Sequence, residues 1–449
     1  MRAPSSWGEA LAAFQARHPQ LAFIDVFVFD CAGQPFGKRI PAEDFAKIGE
    51  GVRLSPASLL YDARGNDHGI EGIGVADGDP DATLVPVLET LAPTPWLGPQ
   101  AAQVLAMPHD AAGKALWYNP RLILQETLAR FKAETGLTPV VACEYEFHLV
   151  ANTPELQRAP SPRTGAAPLA GGTLLLDKLD EYRGFLDAFV AASQAQGLPS
   201  GAVTAEYSPT QFEVNLGHCD DAVRAADWAL LQRRAARGVA RAQGLDACFM
   251  AKPFQEDAGN GLHVHVSLVD ETGANVFDET RPGGRERLAH AIGGLSASLI
   301  DAMLVFAPTL NAYRRYSASV FSPTGKSWGV DNRSVAFRVP AQGGKARRIE
   351  HRVAGADANP YLVLAAILDG LALGLRDRID PGPESVGDVS AVVDPDFPRH
   401  LWDAIDRFTA SARMQALFGR FGRVYAELRR LETETMLREA IGVEQAWRV

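Results

Sequence analysis

The chain has 449 residues, 47% of them apolar, and a formal net charge of −10. That length and apolar share support a well-buried core split over two domains and exclude a chain dominated by disorder. The acidic balance argues against a nucleic-acid binder, because such proteins carry basic surface that releases counterions.

Residues 1–23 alternate polar and apolar side chains as an amphipathic helix does, without the uninterrupted apolar core of a signal peptide. The apolar, β-branched run 22–29, a turn over 30–37 and the segment Lys38-Arg39-Ile40 predict a hairpin. Short strands at 58–61 and 82–86 follow between Gly- and Asp-rich turns, up to a polar stretch at 107–114. A small β-rich domain over residues 1–112 is expected to end there, with 113–449 forming the larger one. Asn119-Pro120 opens a helix over 121–135 whose Leu122, Leu124, Leu128 and Phe131 make a buried stripe, and Gly136 closes it. Strands at 140–150, 212–216, 248–252 and 263–268 and a helix over 222–243 then predict an α+β domain without repeats or βαβ alternation. On that helix Arg233, Arg234, Arg237 and Arg241 share a face, read as a solvated or subunit-facing stripe. Residues 153–172 and 380–398, rich in Pro, Gly and Ala, read as mobile surface loops.

The longest apolar run, 362–375, is short of a bilayer span and contains Asp369, so no membrane partner is expected. Cys31, Cys143, Cys219 and Cys248 form no CxxC pair, which fits a reducing cytosol.

The strand around Cys143-Glu-Tyr-Glu-Phe places Glu144 and Glu146 on one face by its period of two. In the stretch 205–215, Pro209 marks a turn that can bring Glu206 and Glu213 to a shared site. His263 and His265 alternate onto one face after a Gly-rich turn, one suited to metal and the other to phosphate. With Glu350, the set is five carboxylates and an imidazole at His263, too much charge to bury without cations, and its oxygen-rich character favours Mg²⁺ or Mn²⁺. Two or three such ions at one site suggest phosphoryl chemistry. A cationic group follows: Arg314, Arg315, Arg333, Arg338, Lys345, Arg347, Arg348 and Arg352. Arginine forks suit phosphate and carboxylate oxygens.

At these motifs the chain resembles the glutamine synthetase family, through nearly all of its length: Cys143-Glu-Tyr-Glu-Phe, 206–213, Lys252-Pro253, 259–268, Asn332-Arg333 and 347–361. The resemblance implies an N-terminal β-grasp domain, a catalytic domain with a curved antiparallel sheet, and a homo-oligomer, a dodecamer of two hexameric rings with active sites between neighbours. It implies Glu146, Glu206 and Glu213 as ligands of a first metal and Glu144, His263 and Glu350 of a second. It assigns His218, His265, Ser267, Arg333, Lys345 and Arg348 to ATP, Gly259, Arg315 and Arg352 to glutamate, and Arg338 to phosphate. Arg315, Arg333 and Asp62 are the implied catalytic residues, Asp62 corresponding to an acidic residue that a neighbouring subunit lends to the amine site.

Phe321 stands where the resemblance places the glutamate that gathers and deprotonates ammonium in ammonia-using members. An aromatic ring does neither, but packs an alkyl chain or attracts an alkylammonium. The expected reaction is therefore ATP-dependent ligation of the glutamate γ-carboxylate to a primary amine through γ-glutamyl phosphate, as in relatives that act on polyamines. Ala258 replaces an asparagine near the glutamate amino end, and the stretch between Tyr361 and Tyr425 lacks the adenylylation tyrosine. Trp328 has two readings, lining the amine pocket or packing in the core. Two alternatives stand beside the main one: an ammonia-dependent glutamine synthetase, and a non-catalytic structural or regulatory homologue, which would be expected to have lost ligands that this chain retains.

Overall fold

The computed structural model describes residues 5–62, 65–70, 72–168, 171–316 and 321–446, with side chains up to 438. Two compact units make up the chain: Met1–Leu122 with Asp187–Leu198 and Glu427–Val449, and Ile123–Leu186 with Pro199–Ala426.

In the first unit the helix Trp7–Arg17 begins where Ser6 Oγ accepts from the Glu9 amide. The predicted hairpin forms from β1 (Phe23–Phe29) and β2 (Pro35–Pro41), its turn set by Asp30 Oδ1 accepting from the amides of Ala32 and Gln34. With β3 (Val52–Leu54), β4 (Ala82–Pro86), β5 (Ala92–Pro93) and β6 (Ala101–His109) it completes a six-stranded sheet in the order β2-β1-β6-β4-β3, β5 also pairing with β6. The first and last of these strands, β1 and β6, lie side by side and parallel, in keeping with the β-grasp expectation.

The second unit holds an eight-stranded sheet. Its strands are β7 (Thr138–Ala151), β8 (Ser200–Ala205), β9 (Gln211–Leu216), β10 (Leu245–Cys248), β11 (Leu262–Val269), β12 (Trp328–Val330), β13 (Phe337–Val339) and β14 (Ile349–His351). They run in the order β12-β13-β14-β11-β7-β9-β8, with β10 on the remaining part of β7, and all pairs are antiparallel except β12 with β13. The helix Ala222–Ala242, capped by Asp221, packs on β7 and β10 and against the helix Pro360–Asp377. The latter, capped by Asn359, explains the long apolar run: 362–368 are all buried. No helix among the described residues is long and apolar enough to cross a membrane.

Four sequence expectations are corrected. Residues 58–61 are not a strand: 58–60 belong to a 3₁₀ turn, Pro56–Leu60, where proline at the first position fixes a helical φ, and Tyr61 caps it. The strand expected at 248–252 lies earlier, at β10. Beyond it the Asn260 side chain donates to Met250 O and Asn311 bonds both backbone groups of Lys252, taking the place of a ladder. The polar stretch expected to begin at Met107 is still strand up to His109. The arginine face of the long helix is solvated only towards its end: Arg233 is buried over the Phe249 ring and Arg237 lies beside it, whereas Arg241 is exposed and pairs with Asp246 at 2.9 Å.

Candidate active site

β7 carries the centre of the site. Val141, Cys143, Tyr145 and Phe147 are buried along it, so strand alternation sends Glu144 and Glu146 to the opposite face. The ladder then sets their neighbours. His263 and Asn215 stand opposite Glu144, Glu213 opposite Glu146, Glu350 opposite His265, and Arg338 opposite Glu350. Glu206 enters from the turn between β8 and β9, closed by Gln211 N on Ser208 O and Glu206 N on Gln211 O. The buried Lys178 braces that turn, its Nζ donating to the carbonyls of Glu206 and Ser208.

The five glutamates, His263, His265 and Asn215 line one cleft of about 630 Å³ with Gly259, Phe321, Arg333, Arg338, Arg348 and Arg352. His263 sits among three carboxylates, its ring nitrogens 3.8 Å from Glu144, 3.9 Å from Glu146 and 3.9 Å from Glu213. His265 Nε2 is 2.9 Å from Glu144 Oε1, off the line of a hydrogen bond, and Arg348 Nε donates to His265 Nδ1 at 3.1 Å. Glu350 lies between two arginines: Arg338 donates to it at 2.7 Å and Arg352 from the other side. Arg338 also reaches Asp331 at 2.7 Å.

Burial and crowding set the protonation of the carboxylates. Burial pushes Glu213 up, and the negative charges of Glu144, Glu146, Glu206 and Glu350 push it further. Burial and then Glu146 raise Glu206 to about 7. Burial also works against ionised Glu144 and Glu350, but the histidines around Glu144, and Arg352, His263, His265 and Arg338 around Glu350, outweigh it and hold both below the usual range. Buried carboxylates crowded this closely fit a divalent metal site, since positive charge there would favour their ionised forms. Among the described residues, two triads have donor atoms within a single ion's reach, Glu144–Glu213–His263 and Glu144–His265–Glu350. The resemblance divides the ligands differently, with Glu146, Glu206 and Glu213 in one set and Glu144, His263 and Glu350 in the other.

Other expected residues lie outside the cleft lining. Arg315 is buried behind it, donating to the carbonyls of Val353 and Ala354, with its Cγ 2.7 Å from where a Cβ on Gly259 would sit. Ser267 lies along β11 on the face of His263 and His265, Lys345 is exposed in a 3₁₀ turn, and the His218 ring is 6.4 Å from that of His265. Asp62 belongs to the first unit, where it accepts from the Asn66 backbone and side chain and meets His68 at 3.0 Å. Trp328 donates to Gly382 O and is not in the lining. Sequence reasoning missed Asn215, which donates to Glu144 at 2.8 Å, and Asp331, Lys178 and Tyr207. Asn215, two residues after Glu213 on the same strand face, and Tyr207, next to Glu206, carried a signal; Lys178 reaches the site through carbonyls far along the chain.

Carboxylates gathered beside arginines on one face of the eight-stranded sheet make a cleft whose chemistry suits anions held against divalent ions. The family model of the glutamine synthetase catalytic domain matches residues 118–447, and the chain belongs to the glutamine synthetase family. It is 33% identical to gamma-glutamylputrescine synthetase PuuA of Escherichia coli K12, over 97% of this chain and 94% of that one. Its identity to glutamate–isopropylamine ligase of a Pseudomonas species is 29%, over 88% and 87%. Among solved structures, the ADP complex of GmaS superposes with a TM-score of 0.82 at 26% identity, covering 95% of this chain and 96% of GmaS.

Proposed function

We propose that the protein is a γ-glutamyl–amine ligase, which uses ATP to join the γ-carboxylate of glutamate to a primary amine. The observation that carries this reading is the convergence of five glutamates, His263 and four arginines in a cleft whose remaining wall holds an exposed phenylalanine, Phe321. The names of the two amine-ligating relatives support it.

On this reading Glu144, Glu146, Glu206, Glu213, His263 and Glu350 hold two to three Mg²⁺ or Mn²⁺ ions, which neutralise the phosphates of ATP. His218, His265, Ser267, Arg333, Lys345 and Arg348 bind ATP, and Arg338 faces the transferred phosphoryl group. Gly259 and Arg352, backed by Arg315, hold glutamate. A γ-carboxylate oxygen attacks the terminal phosphorus and the bond to ADP breaks, giving γ-glutamyl phosphate. The amine nitrogen then attacks the acyl carbon, the bond to phosphate breaks, and the nitrogen loses a proton to give the amide. No side chain becomes covalently bound. Asp62 of a neighbouring copy is proposed to complete the amine site in a double-ring dodecamer.

Phe321→Glu tests the choice of nucleophile. The substitution restores a carboxylate that attracts ammonium, so the ratio of ammonium to alkylamine turnover is expected to rise at least about tenfold. An unchanged ratio would remove Phe321 as the selector.

A further inference from the structure

Large apolar side chains are rarely left exposed together at a polar cleft without a ligand to cover them. Three are exposed in this lining: Leu174 at 71%, Tyr207 at 54% and Phe321 at 63%. The Tyr207 and Phe321 rings meet at 5.1 Å between centroids, tilted by 55°.

The backbones of Tyr207 and Leu174 are held firmly. Tyr207 lies between Glu206 and Ser208, whose carbonyls both bind the buried Lys178 Nζ, and Ser208 Oγ accepts from the Ala258 amide at 2.7 Å. Gly171 packs so closely over the Tyr207 carbonyl that a Cβ there would sit 2.0 Å from the oxygen. Leu174 has a left-handed backbone, φ 63°, which a leucine adopts only when its surroundings impose it, and its amide donates to Ala205 O at 2.8 Å. A strained leucine and a tyrosine thus stand on fixed backbones with their side chains in solvent. Fixed, exposed apolar groups of this kind suit binding, since little ordering remains when a ligand arrives.

We infer that Leu174, Tyr207 and Phe321 form an apolar wall that receives the carbon chain of the amine, so that the substrate class is primary amines carrying several methylenes. This inference rests on the ligase reading and adds two specificity-determining residues, Leu174 and Tyr207. The chain's direction follows from covalent linkage. Tyr207 directly follows Glu206 at the carboxylate cluster, so an amine whose nitrogen reaches the activated glutamate there can lay its chain along the wall. The wall recognises methylenes whether the far end of the chain is a methyl or a second ammonium group.

The test is turnover of methylamine, propylamine, hexylamine, putrescine and ammonium with ATP, glutamate and Mg²⁺, alongside calorimetric titration of hexylamine into the same full-length protein. In the n-alkyl series kcat/KM is expected to rise about two- to fourfold per methylene, as burial of a CH₂ group predicts, and mainly through KM. Tyr207→Ala and Leu174→Gly, the latter relieving the strained φ, are expected to lower the hexylamine-to-methylamine ratio about tenfold, and Tyr207→Phe to preserve it. Putrescine turnover on a par with propylamine would assign the far end of the chain to solvent. A flat chain-length series, or variants that slow all amines equally, would overturn the wall and leave these residues a structural role, such as contact with another copy. Absence of turnover with every nucleophile would overturn the ligase reading alone. In that case hexylamine binding weakened by Tyr207→Ala still supports the wall, and absent hexylamine binding overturns it.

Discussion

Glu350 and His351 occupy successive positions on β14 and face opposite sides of the sheet, with opposite electrostatic fates. Glu350 is held ionised among Arg352, His263, His265 and Arg338, whereas His351 is buried against the rings of Phe306 and Phe337, 4.6 and 5.3 Å away. Burial, helped by His263, lowers His351 from 6.5 to about 3. A histidine whose folded pKa is depressed leaves stability intact above the unfolded value and loses it as pH falls from about 6.5 towards 3, where only the unfolded chain takes up the proton. By pH 5 the loss is about 2 kcal/mol. His351→Phe removes this dependence, so the melting temperature of the wild type is expected to fall more steeply than that of the variant between pH 6.5 and 5. Parallel curves would contradict it. At this scale the alternation of Glu144 with Glu146 and of His263 with His265 was legible from the sequence, because a strand's period is local. Which residue stands opposite which was not: the pairing of Glu350 with His265 depends on ladder register between segments more than eighty residues apart.

Elements were legible where local chemistry decides them. The hairpin of β1 and β2, the helix Pro120–Thr135 and the strand β11 follow from turn residues, caps and periodicity. The reading failed where side chains compete with the ladder, as Asn260 and Asn311 do after β10, or where one proline starts a 3₁₀ turn. The loop between β10 and β11 shows how tightly such irregular segments can be built. Its Asn260 bonds His148 and Gln211, Gln211 donates to Gly259 O, and a Cβ on Gly259 would lie 2.7 Å from both Ala251 O and Arg315 Cγ. Because the Ala251 atom is backbone, Gly259→Ala is expected to cost about 1–3 kcal/mol and to lower the melting temperature by several degrees. An unchanged melting temperature would show that the loop yields freely.

At the scale of the molecule, the family was legible because its motifs are spread over most of the chain, and the match over residues 118–447 bears this out. The order of the sheet was not, since β14 joins β11 and β13 although nearly eighty residues of chain separate β11 from β14. The proposed dodecamer predicts a native mass of about 580 kDa for twelve 48.3 kDa chains, measured by light scattering at assay concentration. A mass near that of one chain, with full activity, would remove the neighbouring copy and its Asp62 from the account. The claim on which the rest depends is that this cleft drives amide formation on an amine with ATP. Phosphate release from ATP with glutamate and Mg²⁺, compared across ammonium, monoamines and polyamines and repeated with the metal chelated, tests it most directly. Selective, metal-dependent release with one class of amines, together with the matching γ-glutamyl amide, is the expected result. Preference for ammonium would contradict the amine assignment, and silence with every nucleophile would contradict the ligase.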